Sequence, residues 1–297
     1  MKYDCIIIGA GPSGLSAAIY FGRANKKTLV IYGGPRRTSL SLHIQNYLGF
    51  QDITGQELLS KGMEQAKAYG VQFVLETVSG IKKNEEMFNV STVKDKFSAK
   101  KVIVASGIDD VLPSIDNIFE FIGETFFTCL DCDGHRMNGK KVCIIGKGDY
   151  SARTALAIKQ LHTEKIVLCL ESEEGLSSEY RHRLEDEKIE IVTKKAMHLD
   201  GANGLVNSVI FADKTSVDCE CVLSDLGYTR NDSFLSELSL ERSESGYIRT
   251  DENFESSVPG LFVVGPINTG PDQVSVAVGE GARAAMHAIE SELNLNA

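Results

Sequence analysis

The 297 residues contain no tryptophan and only six prolines. So little proline excludes collagen-like and proline-rich disordered classes. A surplus of positive charge is missing too: 31 lysines and arginines stand against 41 aspartates and glutamates, a net charge of −10. Nucleic-acid binding runs on cations facing phosphates, so this balance argues against that partner and against an anionic membrane surface. No apolar run approaches the roughly 20 residues that cross a bilayer. The opening MKYDCIIIGAG leads straight into a strand pattern, with no basic segment ahead of a long apolar stretch. The expectation is a cytoplasmic chain with no nucleic-acid or membrane partner. Cysteines number seven, an odd count, and only Cys129 and Cys132 have the C-x-x-C spacing. That excludes the disulfide framework of a small secreted domain.

What is present is ordinary globular material, 42% hydrophobic and 24% charged, in a length that suits two cores. The organisation shows as a repeat: DCIIIGAGPSGLSAAIYFGR near the start is echoed by KVCIIGKGDYSARTALAIKQ. Each copy is an apolar strand, a glycine turn and an alanine-rich helix, the unit from which doubly wound α/β domains are built. KKTLVIYGG reads as a second strand and GQELLSKGMEQAKAYG as a helix closed by Gly70. Later, VDCECVLSDLG reads as one strand and GYIRTDENFESSVPGLFVVGP as two strands and a turn. The last helix is expected from about Gln273 to Leu293.

Gly9-Ala10-Gly11-Pro12-Ser13-Gly14 fits G-x-G-x-x-G between a strand and a helix. Gly9 permits the tight turn, Gly11 lets the backbone approach a pyrophosphate, and Gly14 lets the helix pack close to the strand. An acidic residue for the ribose hydroxyls usually ends the following strand. Here that place is taken by Tyr32, with Gly33 and Gly34 after it.

FFTCLDCDGH supplies the second chemical feature. A zinc site would need two more ligands, but Cys143, Cys169, Cys219 and Cys221 fall in apolar strands, so no metal is expected. Cys219 and Cys221, two apart, are expected to put both thiols on one face of a strand for packing. The pair Cys129 and Cys132 reads instead as a redox dithiol.

CLDCDG stands directly before KKVCIIGKG. With it come the first glycine turn, the HIQNYLGF loop holding Asn46, the ASG at Ala105–Gly107, GLFVVGP with Gly265, and Asp272-Gln273 ahead of the last helix. In this order the chain resembles low-molecular-weight thioredoxin reductases over essentially its whole length. The resemblance implies an α/β fold of two doubly wound, Rossmann-type domains, the second inserted into the first. Residues 1–112 and 236–297 would form the FAD-binding domain, and residues 113–235 the domain carrying the C-x-x-C. FAD would be held by Gly9, Gly11, Pro12, Ser13, Gly14, Tyr32, Gly33, Gly34, Asn46, Val78, Ala105, Ser106, Gly107, Gly265, Pro266, Asp272, Gln273 and Val274. The resemblance makes Cys132 the flavin-side sulfur, Cys129 the one that engages a partner disulfide, and Asp133 the acid–base group. A turn-capping role for Asp133 stays open, and His135 is expected to be a solvent-exposed neighbour. A homodimer through the FAD domain is also implied, with the inserted domain rotating about hinges near Leu112-Pro113 and Asn231–Phe234.

Three departures from the family pattern matter. The family's second glycine turn ends in alanine or glycine, and after the next strand an H-R-R-x-x-x-R cluster grips the 2′-phosphate of NADPH. Here the turn is Gly146-Lys147-Gly148-Asp149-Tyr150-Ser151, and the aligned stretch is Glu171-Ser172-Glu173-Glu174-Gly175-Leu176, with Arg181 and Arg183 further on. Carboxylates facing a phosphate dianion are strongly unfavourable, so NADPH is not expected. Glu171, at a strand end, keeps NADH open beside a relic domain that binds no pyridine nucleotide. The third departure is Pro266, where the family has an aspartate that contacts the flavin's ribityl chain.

The composite reading is a flavin-dependent disulfide oxidoreductase similar to ferredoxin-linked flavin thioredoxin reductases. Ferredoxin would be the donor and a thioredoxin-like protein the acceptor. An NADH-dependent reductase is one alternative. Another is an oxygen-using dithiol oxidase, a group whose loop sequence GGPRRTSLSLHIQNYLGF also resembles. A flavin-binding regulator is the third, and the intact CLDCDG speaks against it.

Overall fold

The structure is a computed structural model describing residues 2–35, 37–268 and 270–293. It divides into two compact units, Met1–Asp109 with Thr229–Ala297, and Asp110–Tyr228. The chain thus passes between units ahead of Pro113 and ahead of the Asn231–Phe234 segment.

Unit 1 opens with β1 (Lys2–Ile8), α1 (Pro12–Arg23), β2 (Thr28–Tyr32), α2 (Gly55–Ala68) and β3 (Gln72–Leu75). β4 (Val78–Lys83), β5 (Phe88–Thr92) and β6 (Lys96–Val104) follow. β3, β2, β1 and β6 pair side by side in parallel, and the first half of β6 pairs antiparallel with β5. Parallel strands covered on both faces read as unbroken apolar runs, which is why DCIII and TLVI carry no alternation. Their side chains still alternate in space. Ile6, Ile8, Leu29, Ile31, Val102 and Val104 enter one core, whereas Cys5, Ile7, Val30 and Ile103 meet Ala17, Ala18 and Phe21 of α1 in the other.

After β7 (Ile108–Asp110), unit 2 comprises β8 (Phe126–Phe127), α3 (Leu130–Asp133), β9 (Val142–Gly146), α4 (Gly148–Leu161), β10 (Ile166–Leu170), α5 (Ser178–Asp186) and β11 (Glu190–Thr193). β12 (Ala196–Ala202), β13 (Leu205–Phe211), β14 (Ser216–Asp218) and β15 (Cys221–Asp225) complete it. Its parallel sheet runs β11-β10-β9-β15-β8, and β12-β13-β14 form a separate antiparallel sheet. The strand order reverses at β9, which puts a crevice at the ends of β9 and β15 where doubly wound folds bind ligands.

VDCECVLSDLG, expected as one strand, is two strands in different sheets. The break falls at Cys219-Glu220, where the Cys219 N–H donates to Asn207 O (2.9 Å) and the Glu220 N–H to Lys141 O (2.8 Å). Cys219 therefore joins Cys143 and Cys169 in one core, while Cys221 joins Ile144 and Ala152 in the other. The expectation of one shared face was wrong because period-two alternation holds only within a strand.

The chain returns through β16 (Tyr228–Arg230), which pairs with β7, and through β17 (Leu261–Val263), parallel to β6. The strand expected near Tyr247–Thr250 is replaced by isolated bridges, Arg242 to Ile248 and Thr250 to Ser256. The last helix, α6 (Val274–Glu290), packs on α1 through small residues. A Cβ on Gly281 would lie 2.0 Å from Ser13 O, and Ser16 Oγ donates to Val278 O across the same seam (2.7 Å).

Gly281→Ala should cost about 1–3 kcal/mol by overpacking against α1. Gly279→Ala, whose methyl meets nothing within 4 Å, should gain roughly 0.5–1 kcal/mol from lost chain entropy. Equal melting temperatures for the two variants would refute this account of the seam. Glu280 is buried and accepts from the Gly265 N–H (2.5 Å) and Asn268 Nδ2 (3.0 Å). Burial raises its pKa, only partly offset by these hydrogen bonds. The folded state therefore holds this proton better than the unfolded chain. The stability owed to Glu280 falls as pH rises from the ordinary carboxylate range through the raised value. Glu280→Gln should gain on wild type in denaturant midpoint as pH climbs through that window, and a constant difference would contradict it.

Candidate functional site

The first glycine turn opens into a cavity of about 620 Å³ within unit 1, in the range of small-molecule and cofactor sites. Gly9 adopts φ +109°, and a Cβ there would lie 2.2 Å from Ala105 O. Gly14 is pressed onto the turn, its Cβ position 2.0 Å from Gly9 O. At Gly11 the opposite holds: a Cβ would meet nothing within 4 Å, so the backbone is bare toward the cavity. Gly11 caps α1 with no side-chain hydrogen bond, Pro12 stands in the first turn, and no acidic residue follows there. The free N–H groups and dipole of this helix end face the cavity as an anion seat.

Of the residues proposed from sequence to hold FAD, fifteen line this cavity: Gly9, Gly11, Pro12, Ser13, Tyr32, Gly33, Gly34, Val78, Ala105, Ser106, Gly107, Pro266, Asp272, Gln273 and Val274. Gly14, Asn46 and Gly265 are not among its lining residues. Gly14 supports the turn from behind, Asn46 Nδ2 donates to Gln273 Oε1 (2.9 Å), and Gly265 adopts φ +79°. Residues that sequence reasoning did not assign to the cofactor also line the cavity, among them Arg37, Glu76 and Asn231. Arg37 pairs with Asp272 at 2.6 Å. Glu76 stands beside Tyr32, its N–H bonded to Tyr32 O at 3.0 Å, and its carboxylate accepts from the Thr92 hydroxyl. A carboxyl group thus returns to the cavity from the neighbouring strand, a register effect invisible along the sequence.

The fit of a flavin dinucleotide can be tested on unsatisfied atoms. Ser106 Oγ and Asn231 Nδ2 are buried without a hydrogen-bond partner, and both residues line the cavity. Buried polar atoms are rarely left so. Together with the bare turn at Gly11, they leave polar valences for a ligand, and the residues present fit FAD.

In unit 2, Cys129 and Cys132 form a disulfide, their Cα atoms 5.3 Å apart. Cys129 caps α3, and the Cys132 N–H donates to Cys129 Sγ at 3.1 Å. Asp133 ends α3, half-buried, and its N–H donates to Cys129 O (3.1 Å). His135 is exposed. The other five cysteines are buried and reduced. Hydrogen bonding to Cys169 and Cys219, with burial added, pushes the Cys143 thiol well up, burial pushes Cys5 well up, and burial raises Cys221 to about 12. Such thiols are poor nucleophiles. Among the described residues, no group of three or more histidine, cysteine or acidic side chains is placed to hold a metal ion.

The second glycine turn differs from the first. Ser151 is fully buried, and its hydroxyl accepts from the Lys147 N–H (2.9 Å) and donates to Asp225 O (3.0 Å). The Asp149 N–H donates to Gly175 O (2.9 Å), and the Asp149 carboxylate accepts from the Ser177 N–H (2.7 Å). The loop tip lies close behind the turn: a Cβ on Gly148 would lie 2.7 Å from Gly175 O. Arg181 is engaged by Glu173, and Arg183 stacks over Tyr180. At the end of β15, burial raises the pKa of Asp225, whose Oδ2 has no partner.

The pyridine nucleotide-disulphide oxidoreductase family model matches residues 3–281. A thioredoxin reductase of Treponema pallidum is 31% identical, covering 98% of this chain and 97% of that protein. The Bacillus subtilis thioredoxin reductase is 28% identical over 95% of this chain and 92% of its own. The solved thioredoxin reductase of Giardia duodenalis superposes with a TM-score of 0.88 at 26% identity, covering 97% of this chain and 98% of that one. With its two Rossmann-type units and its dithiol, this chain belongs to the pyridine nucleotide-disulphide oxidoreductase family, as an FAD-binding disulfide oxidoreductase of the thioredoxin reductase type.

Proposed function

We propose that this chain carries electrons from a low-potential iron–sulfur protein of the ferredoxin type, through FAD, to Cys129–Cys132 and on to a thioredoxin-like protein. The observation that carries the choice of donor is the closed turn at Gly146–Ser151. A dinucleotide pyrophosphate needs the bare N–H groups of a helix start. Two of those donors, at Lys147 and Asp149, are already used by Ser151 and Gly175. The loop behind them carries Glu171, Glu173 and Glu174 instead of arginines. These residues do not fit NADPH, and they fit NADH little better.

Bound FAD would collect electrons and deliver a pair to the disulfide. In unit 1 the α1 N-terminus would seat the pyrophosphate, and Ser106 and Asn231 would hydrogen-bond the cofactor. In unit 2, Cys132 would be the sulfur that takes the electrons from the flavin. The Cys129 thiolate would attack the partner's disulfide to form a mixed disulfide, which Cys132 would resolve. Asp133 would move the proton between thiol and leaving group. Thioredoxin stands at about −270 mV, within reach of low-potential iron–sulfur donors. Among the described residues no helix is long and apolar enough to cross a membrane, which fits a cytoplasmic setting. The assembly proposed is a homodimer through unit 1.

The test is anaerobic reduction of the holoprotein, followed at the flavin absorbance. NADPH and NADH should leave the flavin oxidised and reduced ferredoxin should bleach it; bleaching by either nucleotide would overturn the donor assignment. With ferredoxin, Cys132→Ser should still bleach yet reduce no thioredoxin. If the ferredoxin-reduced protein leaves thioredoxin oxidised but consumes oxygen rapidly with dithiols, the flux runs the other way, as in a dithiol oxidase.

A further inference from the structure

We infer that Arg136 is a positioning residue for the dithiol chemistry, a fixed cation that holds Asp133 ready to accept a proton; this rests on the acid–base reading of Asp133 given above. The side chain is no loose surface arginine. Its Nη1 donates to Gly123 O (2.6 Å) and its Nη2 to Glu124 O (2.9 Å), while the guanidinium lies 4.9 Å over the Phe127 ring. Those anchors are themselves held: Phe127 is buried in β8, and the Gly123 N–H is bonded to Phe126 O. Met137, the next residue along, is fully buried and pins the 3₁₀ turn Gly134–Met137 that carries Arg136.

So fixed, Nη1 stands 3.9 Å from Asp133 Oδ1, with both side chains 20% exposed. That is too long for a hydrogen bond and close enough for a strong Coulomb effect. The guanidinium favours the ionised carboxylate without locking it in a bidentate bridge, and it cannot lose its own charge. Other charged or titratable groups surround this turn. The Glu124 carboxylate approaches Arg136 from its other side at 3.5 Å. Asp131 and His135 flank Asp133 in sequence, and His162 abuts Gly134 while bonded to Asn138 at 2.8 Å. Asp110 accepts from the Thr128 hydroxyl (3.0 Å).

The step served is resolution of the mixed disulfide. The Cys132 thiol gives its proton to the Asp133 carboxylate. The resulting thiolate attacks Cys129 sulfur, forming the intramolecular disulfide as the partner sulfur leaves with the electron pair. Asp133 then hands the proton to a partner thiolate. The enzyme dithiol is oxidised and the partner disulfide reduced by the same two electrons.

The experiment follows dithiol-reduced holoprotein against oxidised thioredoxin by stopped flow across pH. Because this chain has no tryptophan, the partner's indole fluorescence reports alone. Wild type should show a rising limb as Asp133 ionises. In Arg136→Met that limb should move to higher pH, with the rate about fivefold lower at the wild-type midpoint, the effect of losing one opposite charge. Arg136→Lys should keep most of it. Glu124→Gln, which removes the competing anion, should move the limb the other way, and decides the matter should Arg136→Met fail to fold. A limb unmoved in these variants but abolished in Asp133→Asn would overturn the role of Arg136 and leave Asp133 standing. A limb that persists in Asp133→Asn would overturn both.

Discussion

The structure of unit 1 depends on how closely α1 is pressed between the sheet and α6. Side chains cannot occupy three of its contacts: a Cβ at Gly9 would overlap Ala105 O, at Gly14 it would overlap Gly9 O, and at Gly281 it would overlap Ser13 O. This closeness brings the α1 N-terminus to the floor of the cavity and draws the Ala105–Gly107 segment and the Gly265-Pro266 turn up to it. Spreading the helices by an ångström would reposition every N–H that faces the cavity. Glu280 strengthens the same seam by accepting from Gly265, so one buried carboxyl fixes a turn that contains only a glycine and a proline.

The two glycine turns show what the backbone alone does not decide. Both follow an apolar parallel strand and open a helix, yet one leaves its donors bare and the other uses them. The difference comes from Ser151 in place of a smaller residue and from a loop with Gly175 at its tip. In the first turn the comparable space is empty at Gly11, and Ser106 and Asn231 wait with unpaired polar atoms. An anion site is therefore read less from G-x-G than from what satisfies the donors around it.

That distinction marks how much was legible in the sequence. The glycine turn, the C-x-x-C and the parallel strands were, because each depends on neighbours within a few residues. Fifteen of the residues that the family resemblance offered for the flavin line one cavity. What failed depended on the third dimension. Cys219 and Cys221 part company because the chain changes sheets at Glu220, a break enforced by bonds to Asn207 and Lys141. Glu76 reaches the cavity through the register that sets Tyr32 beside Leu75. Arg136 belongs to no motif along the sequence, and only the carbonyls of Gly123 and Glu124 give it a place.

The same dependence on placement sorts the seven thiols. A cysteine is reactive as its thiolate, so its surroundings set its chemistry. Cys5, Cys143 and Cys221 lie among aliphatic side chains where a charge is costly, and their thiols stay protonated. Cys143 and Cys169 approach within 3.2 Å, yet both are sealed in the core. Cys129 and Cys132 differ in being half-buried on a short turn with a backbone N–H aimed at sulfur and a carboxylate next in sequence. A disulfide oxidoreductase must keep its remaining cysteines out of the exchange. Here burial does so, leaving Cys129 and Cys132 as the half-buried pair.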